Sequence, residues 1–406
     1  MYLVNPHNIT VGVDKAALVK KLLRTRGFRK ATKAEIAQYK EDRQRGIITE
    51  AAPDTSLRVH LRTVSASPDG YGQSYNLLFD GLLEEKIPTS LTYGGQSVGI
   101  LYSYPYGITD LQTPTRIIYT MFESTKIPKE WIDYLKIADK VLVPSKFCQK
   151  AFKAAGIDAE VVPLGYDSRV FKYKEKKPRD VFTFLQYEAM STRKGWDILF
   201  KAFNQEFKED EPVKLVLKTV KKKLPFPILG SQYPNISVIK EVFTQKGLVK
   251  MLNNADCFVF PSRGEGFGLT PLEALATGTP VIVPNASGMS EYFDPRYFYE
   301  IEAKETRPAI YQRFKGVDTG VMIEPSLEDL KKKMRYVYEH RDEAYKKAER
   351  GARWVAKNWT YRQTAEKLKV ILEGLGSSEV AKPKKKASAT KPVQWVTGNI
   401  LNVEAV

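Results

Sequence analysis

The feature of this sequence that most constrains its fold is a regular alternation of short apolar runs with segments of helical pattern. Eleven apolar runs follow one another along the middle of the chain: SLRVHLRTV, GILYSY, RIIYTMF, DKVLVPS, EVVPLG, DVFTFLQY, VKLVLKT, ISVIKE, DCFVFPS, TPVIVPN and GVMIEPS. Between many of them lie helical segments such as SYNLLFDGLLEEK and KGWDILFKAFNQEF. Strands that alternate with helices predict parallel sheets with helices on both faces. Eleven strands exceed one comfortable sheet, so we expect two α/β lobes.

Charged, turn-forming residues indicate where the lobes separate. The seam is DSRVFKYKEKKPRD, residues 167–180, and beyond about residue 326 the pattern is helical until a tail rich in Lys, Pro, Ala and Ser. The predicted order is a basic helical appendage, a first lobe, a second lobe, a helix that crosses back to the first lobe, and a flexible tail. The corresponding ranges are 1–55, 56–166, 167–354, 355–376 and 377–406.

The basic charge of the chain is unevenly distributed. The 406 residues carry 64 Lys and Arg against 47 Asp and Glu, a formal net charge of +17. Residues 1–60 hold 12 basic and six acidic side chains, and residues 377–406 hold five and two, so these ends contribute +6 and +3. Helices are predicted within 14–45, with Asp14 and Thr32 as N-caps. They are interpreted either as a solvated helix pair docked on the main body or as a basic appendage for nucleic acid or another polyanion.

Composition excludes several classes of protein. Two cysteines, Cys148 and Cys257, do not make a disulfide scaffold or a Cys-based zinc site, and three histidines make a multi-His metal centre improbable. No apolar run approaches the ~20 residues that a membrane span needs. The N-terminus lacks the apolar core of a signal peptide, because Lys15, Lys20 and Lys21 come early. We therefore expect a cytoplasmic protein without a membrane span.

The segment that carries the most chemical information is ADCFVFPSRGEGFGLTPLEALATGTPVIVPNASGMSE, residues 255–291. A buried strand leads into a glycine-rich loop and then into a helix, whose first amides and positive dipole favour an anion. The glycines Gly264, Gly266 and Gly268 let the backbone approach a ligand closely. Glu265 and Glu273 add carboxylates that can accept hydrogen bonds from sugar hydroxyls. A sugar nucleotide fits this arrangement, and the alternative is an ordinary strand–helix loop whose acid stabilises the helix dipole.

This segment resembles the E-x7-E signature of the retaining glycosyltransferases of family four, which have the two-lobed GT-B fold. VLVPSKFCQKAFKAAGIDAEVVPLGYDSRVF resembles the end of that family's first lobe, and FLQYEAMSTRKGWDILFKAF resembles the start of its second. ATGTPVIVPNASGMSEYF, GVMIEPSLEDL and NWTYRQTAEKL follow in the family's order. The resemblance covers roughly residues 60–376 and is strongest in the second lobe. It implies two Rossmann-like α/β lobes that face a cleft, of which the first faces the acceptor and the second binds the nucleotide-sugar donor.

The resemblance assigns roles within the glycine-rich segment. Glu265 would contact the hydroxyls of the transferred sugar, and Glu273 would bind the nucleotide ribose. The backbone amides of the loop would face the sugar and the diphosphate. The donor-binding residues implied in this segment are Gly266, Phe267, Gly268, Leu269, Thr270 and Glu273.

Positive charge is required beside the diphosphate, because it leaves as an anion and the sequence offers no metal site. The resemblance gives this task to Lys194. The family usually has an Arg five residues earlier, where this chain has Ala189, and Arg193 is the expected substitute. Lys218 is a secondary candidate for the same task, with a solvated strand end as the alternative.

In the first lobe the resemblance is weaker. The family has a Gly-rich loop after its first strand, and SASPDGYGQSYN supplies Gly70 and Gly72, which we expect just before a helix. The family often has a His near the reacting sugar, whereas this chain has Glu123 in MFEST at the comparable place. Glu123 is interpreted as an acceptor-side base, as a hydrogen-bond partner of a sugar, or as a helix-capping acid.

These features together predict a retaining, metal-independent hexosyltransferase that uses a UDP- or GDP-hexose as co-substrate and needs no cofactor. The predicted acceptor is nucleic acid, bound through the basic ends of the chain. The compact first lobe and the appendage also resemble bacteriophage-encoded transferases, some of which glycosylate modified DNA bases, which would place the protein in a host cytoplasm. Two alternatives are a transferase for a cell-surface glycan, a lipid-linked glycan or a protein, and a non-catalytic or structural protein on a transferase scaffold.

Overall fold

The computed structural model describes residues 57–63, 70–188, 190–220 and 233–376, together with Tyr2–Val4, Thr10–Gly12, Arg29–Lys30 and residues 32 and 33. The chain divides into two compact units. The smaller unit comprises Met1–Ser56 and Tyr93–Gln96, and the larger comprises Leu57–Thr92 and Ser97–Val406.

In the smaller unit, three short strands form an antiparallel sheet in the order β2-β1-β3. They are β1 (Tyr2–Val4), β2 (Thr10–Gly12) and β3 (Arg29–Lys30). The sequence did not indicate these strands, because two or three residues are too few for a period of two to be visible. The predicted helices within 14–45 fall outside the described residues, apart from residues 32 and 33.

The larger unit begins with a six-stranded, fully parallel sheet in the order β5-β4-β6-β7-β8-β9. Its strands are β4 (Val59–Arg62), β5 (Thr89–Ser90), β6 (Val98–Tyr102), β7 (Thr115–Tyr119), β8 (Lys140–Val143) and β9 (Glu160–Val161). All five residues of β6 are buried. Central parallel strands are covered on both faces, which is why β6 is apolar along its length and does not alternate.

A second parallel sheet of six strands follows in the order β12-β11-β10-β13-β14-β15. Its strands are β10 (Phe182–Tyr187), β11 (Val213–Lys218), β12 (Ile236–Ile239), β13 (Cys257–Val259), β14 (Val281–Pro284) and β15 (Tyr299–Ile301). The chain runs from β10 outward to β12 and then returns to the other side of β10 with β13. This reversal is a topological switch point, where open α/β sheets bind their ligands beyond the carboxyl ends of the strands.

Each of the eleven predicted runs contains a strand, but the last of them is not part of a parallel sheet. GVMIEPS contributes β17 (Val321–Glu324), which pairs antiparallel with β16 (Glu305–Pro308), a strand that the sequence did not indicate. The connection between β16 and β17 packs on the first lobe, where Tyr311 lies 5.1 Å from Phe122 between ring centroids. This hairpin therefore joins the two lobes.

Helices cover the two parallel sheets. They are α1 (Gly70–Glu84), α2 (Ile132–Leu135), α3 (Lys146–Ala154), α4 (Trp196–Glu206), α5 (Gln245–Asn254), α6 (Leu269–Ala276), α7 (Leu327–Glu339), α8 (Arg341–Asn358) and α9 (Tyr361–Gly376). Three of them begin at a hydroxyl that accepts a hydrogen bond from a backbone amide, on Ser145, Thr244 and Ser326. These N-caps satisfy amides that have no partner inside the helix.

The last helix, α9, returns to the first lobe and packs along α1. The Tyr361 hydroxyl donates to Glu84 Oε1 at 2.6 Å, and Lys369 Nζ lies 3.1 Å from Glu85 Oε2. The connection into the second lobe adds Arg169, whose Nη2 donates to Asp80 Oδ2 of α1 at 2.8 Å and whose guanidinium lies 4.7 Å from the Tyr361 ring. Arg169 therefore ties α1, α9 and the interlobe connection together.

A comparison of two arginines tests this role. Arg169→Ala leaves the nearly buried Asp80 carboxylate without its cation, so we expect the free energy of unfolding to fall by about 1–3 kcal/mol. Arg296→Ala is the matched control. Arg296 pairs with the aspartate two positions before it, as Arg169 does, but the Arg296 side chain is 72% exposed. Exposed pairs contribute about 0–1 kcal/mol. Equal losses for the two variants in urea unfolding would contradict this account.

Candidate functional site

The glycine-rich loop lies at the switch point of the second sheet, between β13 and α6. Residues 260–267 are buried, and Gly268 has a φ of 85°, a left-handed conformation from which α6 begins. A glycine at this position avoids the steric cost that another residue would meet. The loop therefore presents Glu265 and the first turn of α6 at the carboxyl edge of the sheet.

Arg193 and Lys194 reach the same edge from β10, through a short 3-10 helix, Thr192–Lys194. The next residue, Gly195, has a φ of 70°, and a Cβ on it would lie 1.9 Å from the carbonyl oxygen of Pro261. Both the backbone conformation and the close approach require glycine here. The turn at Gly195 therefore brings the two cations next to the glycine-rich loop.

Glu265 is the centre of a buried charge cluster. Its Oε1 accepts from Arg193 Nη1 at 3.0 Å, from Lys194 Nζ at 2.9 Å and from the Ser262 hydroxyl at 2.6 Å. Burial alone would raise the pKa of Glu265, but Lys194 and Arg193 outweigh it and hold this pKa below its ordinary value. Glu265 is therefore an ionised hydrogen-bond acceptor.

Sequence reasoning missed Glu188, which also belongs to this cluster. Its Oε2 lies 3.1 Å from Lys194 Nζ, and its Oε1 accepts from the Thr270 hydroxyl in the first turn of α6 at 2.7 Å. Its position directly after the strand FLQY was the available signal, since residues at the carboxyl end of the switch-point strand face the ligand crevice.

The second acid of the E-x7-E spacing, Glu273, lies within α6 and is buried. Its Oε2 accepts a hydrogen bond from the Tyr187 hydroxyl at 2.9 Å. Burial raises the pKa of Glu273 to about 7, with the charges of Glu188 and Asp167 adding to the effect and the Tyr187 hydrogen bond opposing it. This carboxyl group therefore titrates near neutral pH.

Glu123 comes to the site from the first lobe, after β7. Its Oε1 lies 3.8 Å from Arg193 Nη2, and burial raises the pKa of its carboxyl group. A Cβ on Gly264 would lie 2.2 Å from the Glu123 carbonyl oxygen, so the two lobes are in contact here. The interpretation of Glu123 as a helix-capping acid is wrong, because the 3-10 helix Lys129–Trp131 follows Pro128 and has no side-chain cap.

The backbone of the loop offers donors for an anion. Within the described residues, the N–H groups of Gly266, Phe267 and Gly268 donate to no other protein group, whereas the carbonyls of Gly266 and Gly268 accept from Ser145 and Tyr292. The Phe267 side chain faces the core, 5.3 Å from the Tyr292 ring. Buried amides without a protein partner are unusual and favour a ligand.

The remaining predicted residues lie elsewhere. Lys218 ends β11 next to β10, and its Nζ lies 5.9 Å from the Phe243 ring; burial lowers the pKa of this amine, and Glu188 opposes the shift. Gly70 and Gly72 were expected before a helix, but both lie in the first turn of α1, because the helix begins earlier than its apolar pattern indicated. Residues 64–69 and Ala189 lie outside the described residues.

The described residues contain neither a cluster of potential metal ligands nor a helix that could span a membrane. No group of three or more His, Cys, Asp or Glu side chains in the described part of the chain is arranged to hold a metal ion. No described helix has both the length and the apolar character that crossing a membrane requires.

Comparison with known proteins agrees with the architecture. Residues 167–354 match the family model described as Glycosyl transferases group 1. The HepE protein of Anabaena, solved in complex with UDP and glucose, superposes with a TM-score of 0.57 over 79% of this chain and 100% of that one, at 14% identity. The fold is the GT-B fold.

Curated relatives are similar over shorter stretches. The serotype-specific mannosyltransferase WbdA of Escherichia coli is 27% identical over 176 residues, which cover 41% of this chain and 21% of that protein. The MMP alpha-(1->4)-mannosyltransferase of Mycolicibacterium hassiacum is 27% identical over 146 residues, 33% of each protein. The chain thus spans a third or less of the length of either relative.

Proposed function

We propose that this protein is a retaining glycosyltransferase that transfers a hexose from a UDP- or GDP-sugar to an acceptor and needs no metal ion or cofactor. The observation that carries the proposal is the convergence of Arg193, Lys194 and Glu265 at the start of α6. The group 1 family match over residues 167–354 and the UDP and glucose bound to HepE support it.

The diphosphate of the donor is proposed to bind between the cations and the loop. Lys194 and Arg193 neutralise the charge that develops as the bond from the sugar C1 to the phosphate oxygen breaks. The free amides of Gly266, Phe267 and Gly268 donate to the phosphate oxygens, and the dipole of α6 adds favourable potential. Lys218, on the neighbouring strand, is the more distant cation.

The two glutamates of the loop and helix are proposed to hold the hydroxyl groups of the donor. Ionised Glu265 accepts from hydroxyls of the hexose, and Glu273 accepts from the two hydroxyls of the ribose. An ionised carboxylate accepts on both of its oxygens, whereas a protonated one uses one oxygen as a donor, so the ionised form suits the hydroxyl groups of a sugar.

Retention of configuration is proposed to result from attack on the same face that the leaving group departs from. The acceptor oxygen forms a bond to C1 while the bond from C1 to the phosphate oxygen breaks, and the acceptor proton passes to the departing phosphate. Glu123 faces this point from the first lobe. Burial raises the pKa of its carboxyl group, which suits a group that holds the acceptor hydroxyl and shares its proton.

A donor screen tests the proposed activity. Incubation with a panel of UDP- and GDP-hexoses is expected to release the nucleoside diphosphate for one donor, measured by a coupled assay. Lys194→Ala removes the charge beside the leaving group, so turnover is expected to fall by about a hundredfold to a thousandfold. Lys201→Ala, on the exposed side of α4, is the matched control and is expected to keep full activity.

Two results of this screen would count against the proposal. Full activity of Lys194→Ala would remove the assigned role of the cation. Binding of a sugar nucleotide without release of its diphosphate, in the presence of a broad set of acceptors, would favour a non-catalytic protein on a transferase scaffold.

The titration of Glu273 predicts how donor binding depends on pH. The carboxyl group has a pKa of about 7 and must lose its proton to accept from the ribose. Donor affinity is therefore expected to rise by about tenfold per pH unit below pH 7 and to level off above it. Isothermal titration of the nucleoside diphosphate between pH 5 and 8.5 measures this.

Glu273→Gln is the control for the pH dependence. The amide has no proton to lose in this range, so the variant is expected to bind more weakly at pH 8 and with a flat pH profile. A variant that keeps the wild-type profile would assign the titration to another group.

For the acceptor, we propose nucleic acid, because residues 1–60 and 377–406 carry a net +6 and +3. Most of these residues lie outside the described part of the chain, and a bacteriophage origin and DNA modification stay predictions. A specific observation favours a glycan acceptor as the second candidate, since the relatives include a lipopolysaccharide core mannosyltransferase and a serotype-specific mannosyltransferase.

Salt dependence distinguishes the two acceptors. A nucleic-acid acceptor predicts a mobility shift with single-stranded or duplex DNA that weakens steeply between 50 and 200 mM salt, about 10³-fold for six or more phosphate contacts. Replacing the tail lysines Lys384, Lys385 and Lys386 with Gln is expected to weaken the shift and leave donor binding unchanged. Transfer to an oligosaccharide with no shift on DNA would favour the glycan.

A further inference from the structure

Glu188 is a largely buried acid that the proposed reaction does not use. Its side chain and that of Lys194 are each only 12% exposed, and the two form an ion pair at 3.1 Å. The other carboxylate oxygen of Glu188 accepts from the Thr270 hydroxyl at 2.7 Å. One carboxylate thus bridges a cation of the second lobe and the first turn of α6.

These two partners of Glu188 are the donors that a diphosphate requires at this place. A phosphate oxygen beside α6 would accept from the Thr270 hydroxyl, and a neighbouring oxygen would pair with Lys194. Lys194 Nζ also lies 2.9 Å from Glu265 Oε1, so the ammonium group of Lys194 already pairs with two carboxylates. The diphosphate and the Glu188 carboxylate therefore compete for the same two donors.

The balance of charge in the cluster leads to the same conclusion. Two cations, Arg193 and Lys194, already face two carboxylates, those of Glu188 and Glu265, and the carboxyl group of Glu123 lies beside Arg193. A diphosphate adds about two further negative charges, and in a largely buried site like charges repel strongly. Glu265 and Glu123 are also held by Arg193, whereas the contacts that hold the Glu188 carboxylate are those with Lys194 and Thr270. Glu188 is thus the acid whose contacts with Lys194 and Thr270 must break when a diphosphate binds.

We propose that Glu188 is an internal counter-anion, whose carboxylate takes the place of the donor diphosphate on Lys194 and Thr270 and is displaced each time the donor binds. The inference rests on the proposed function, because it concerns the same diphosphate position. Glu188 is a positioning residue: it keeps Lys194 and Thr270 oriented, lowers the affinity for the nucleotide, and helps to expel the nucleoside diphosphate product.

Nucleotide affinity tests the competition. Glu188→Gln keeps an oxygen that accepts from Thr270 but removes the charge that competes for Lys194. We expect UDP or GDP to bind this variant at least about tenfold more tightly, about 1.4 kcal/mol, by isothermal titration in metal-free buffer. In turnover, the donor KM and the product inhibition constant are expected to fall by a similar factor, and kcat is not expected to rise.

A charge-matched control separates the local effect from a change in overall charge. Glu209→Gln removes an acid from an exposed position beyond the far end of α4 and is expected to leave UDP and GDP affinity unchanged. Should Glu188→Gln not fold, Glu188→Asp shortens the side chain by one methylene, weakens its hold on Lys194, and is expected to bind the nucleotide with intermediate affinity.

Each outcome of these titrations decides a different point. If the wild type binds UDP or GDP and Glu188→Gln binds it equally well or more weakly, the counter-anion role of Glu188 is wrong and the proposed function still stands. A loss of turnover by Glu188→Gln at unchanged nucleotide affinity also contradicts the counter-anion role. That result would indicate that Glu188 contacts the sugar. If neither wild type nor variant binds UDP or GDP, both the inference and the proposed function fail.

Discussion

The reversal of strand order between β10 and β13 is the constraint on which the site depends. These two parallel strands connect to neighbours on opposite sides, β10 to β11 and β13 to β14, so their connecting segments diverge and leave a crevice at the carboxyl ends. β10 delivers Tyr187, Glu188, Arg193 and Lys194 to this crevice, and β13 delivers the glycine-rich loop and α6. Residues separated by about seventy positions in sequence thereby form one charge cluster.

The same loop also joins the two lobes. The Ser145 hydroxyl donates to the Gly266 carbonyl at 2.7 Å, and Gly264 lies against the backbone of Glu123. The hairpin β16–β17 adds a second connection, where the Ser124 hydroxyl donates to the Thr319 carbonyl at 2.7 Å. A change in the loop therefore affects both the chemistry of the site and the approach of the lobes, so activity and interlobe packing are coupled in this chain.

Much of the fold could be predicted because local pattern and tertiary environment agree. A strand buried on both faces is apolar along its length, and this made central strands such as β6, β13 and β14 visible in the sequence. The strands that the sequence did not indicate also have a physical explanation. β5 and β15 have two and three residues, too few to show a period, and β16 has the mostly exposed sequence ETRP, which contains no apolar run.

For the site, the types of residue that carry charge could be found in the sequence, but their pairing could not. Arg193 contacts Glu265 directly and lies beside Lys194, and its assignment to the diphosphate in place of an arginine at position 189 stays a prediction. Glu188 was overlooked because a single acid after a strand is common and carries no spacing signal. Its importance depends on Lys194 and Thr270, which reach it from a turn and from another helix.

Three features could be predicted from the sequence alone: the two α/β lobes, the glycine-rich loop before α6, and the presence of acids and cations near that loop. These features depend on apolar periodicity and on the backbone freedom of glycine, which are local properties. Other features became visible in the tertiary structure. Glu188 and Glu265 both pair with Lys194, and Glu123 faces Arg193 across the lobes. Burial also raises the pKa of Glu273 to about 7. Such properties depend on distances and burial between elements far apart in the chain, and no local pattern encodes them.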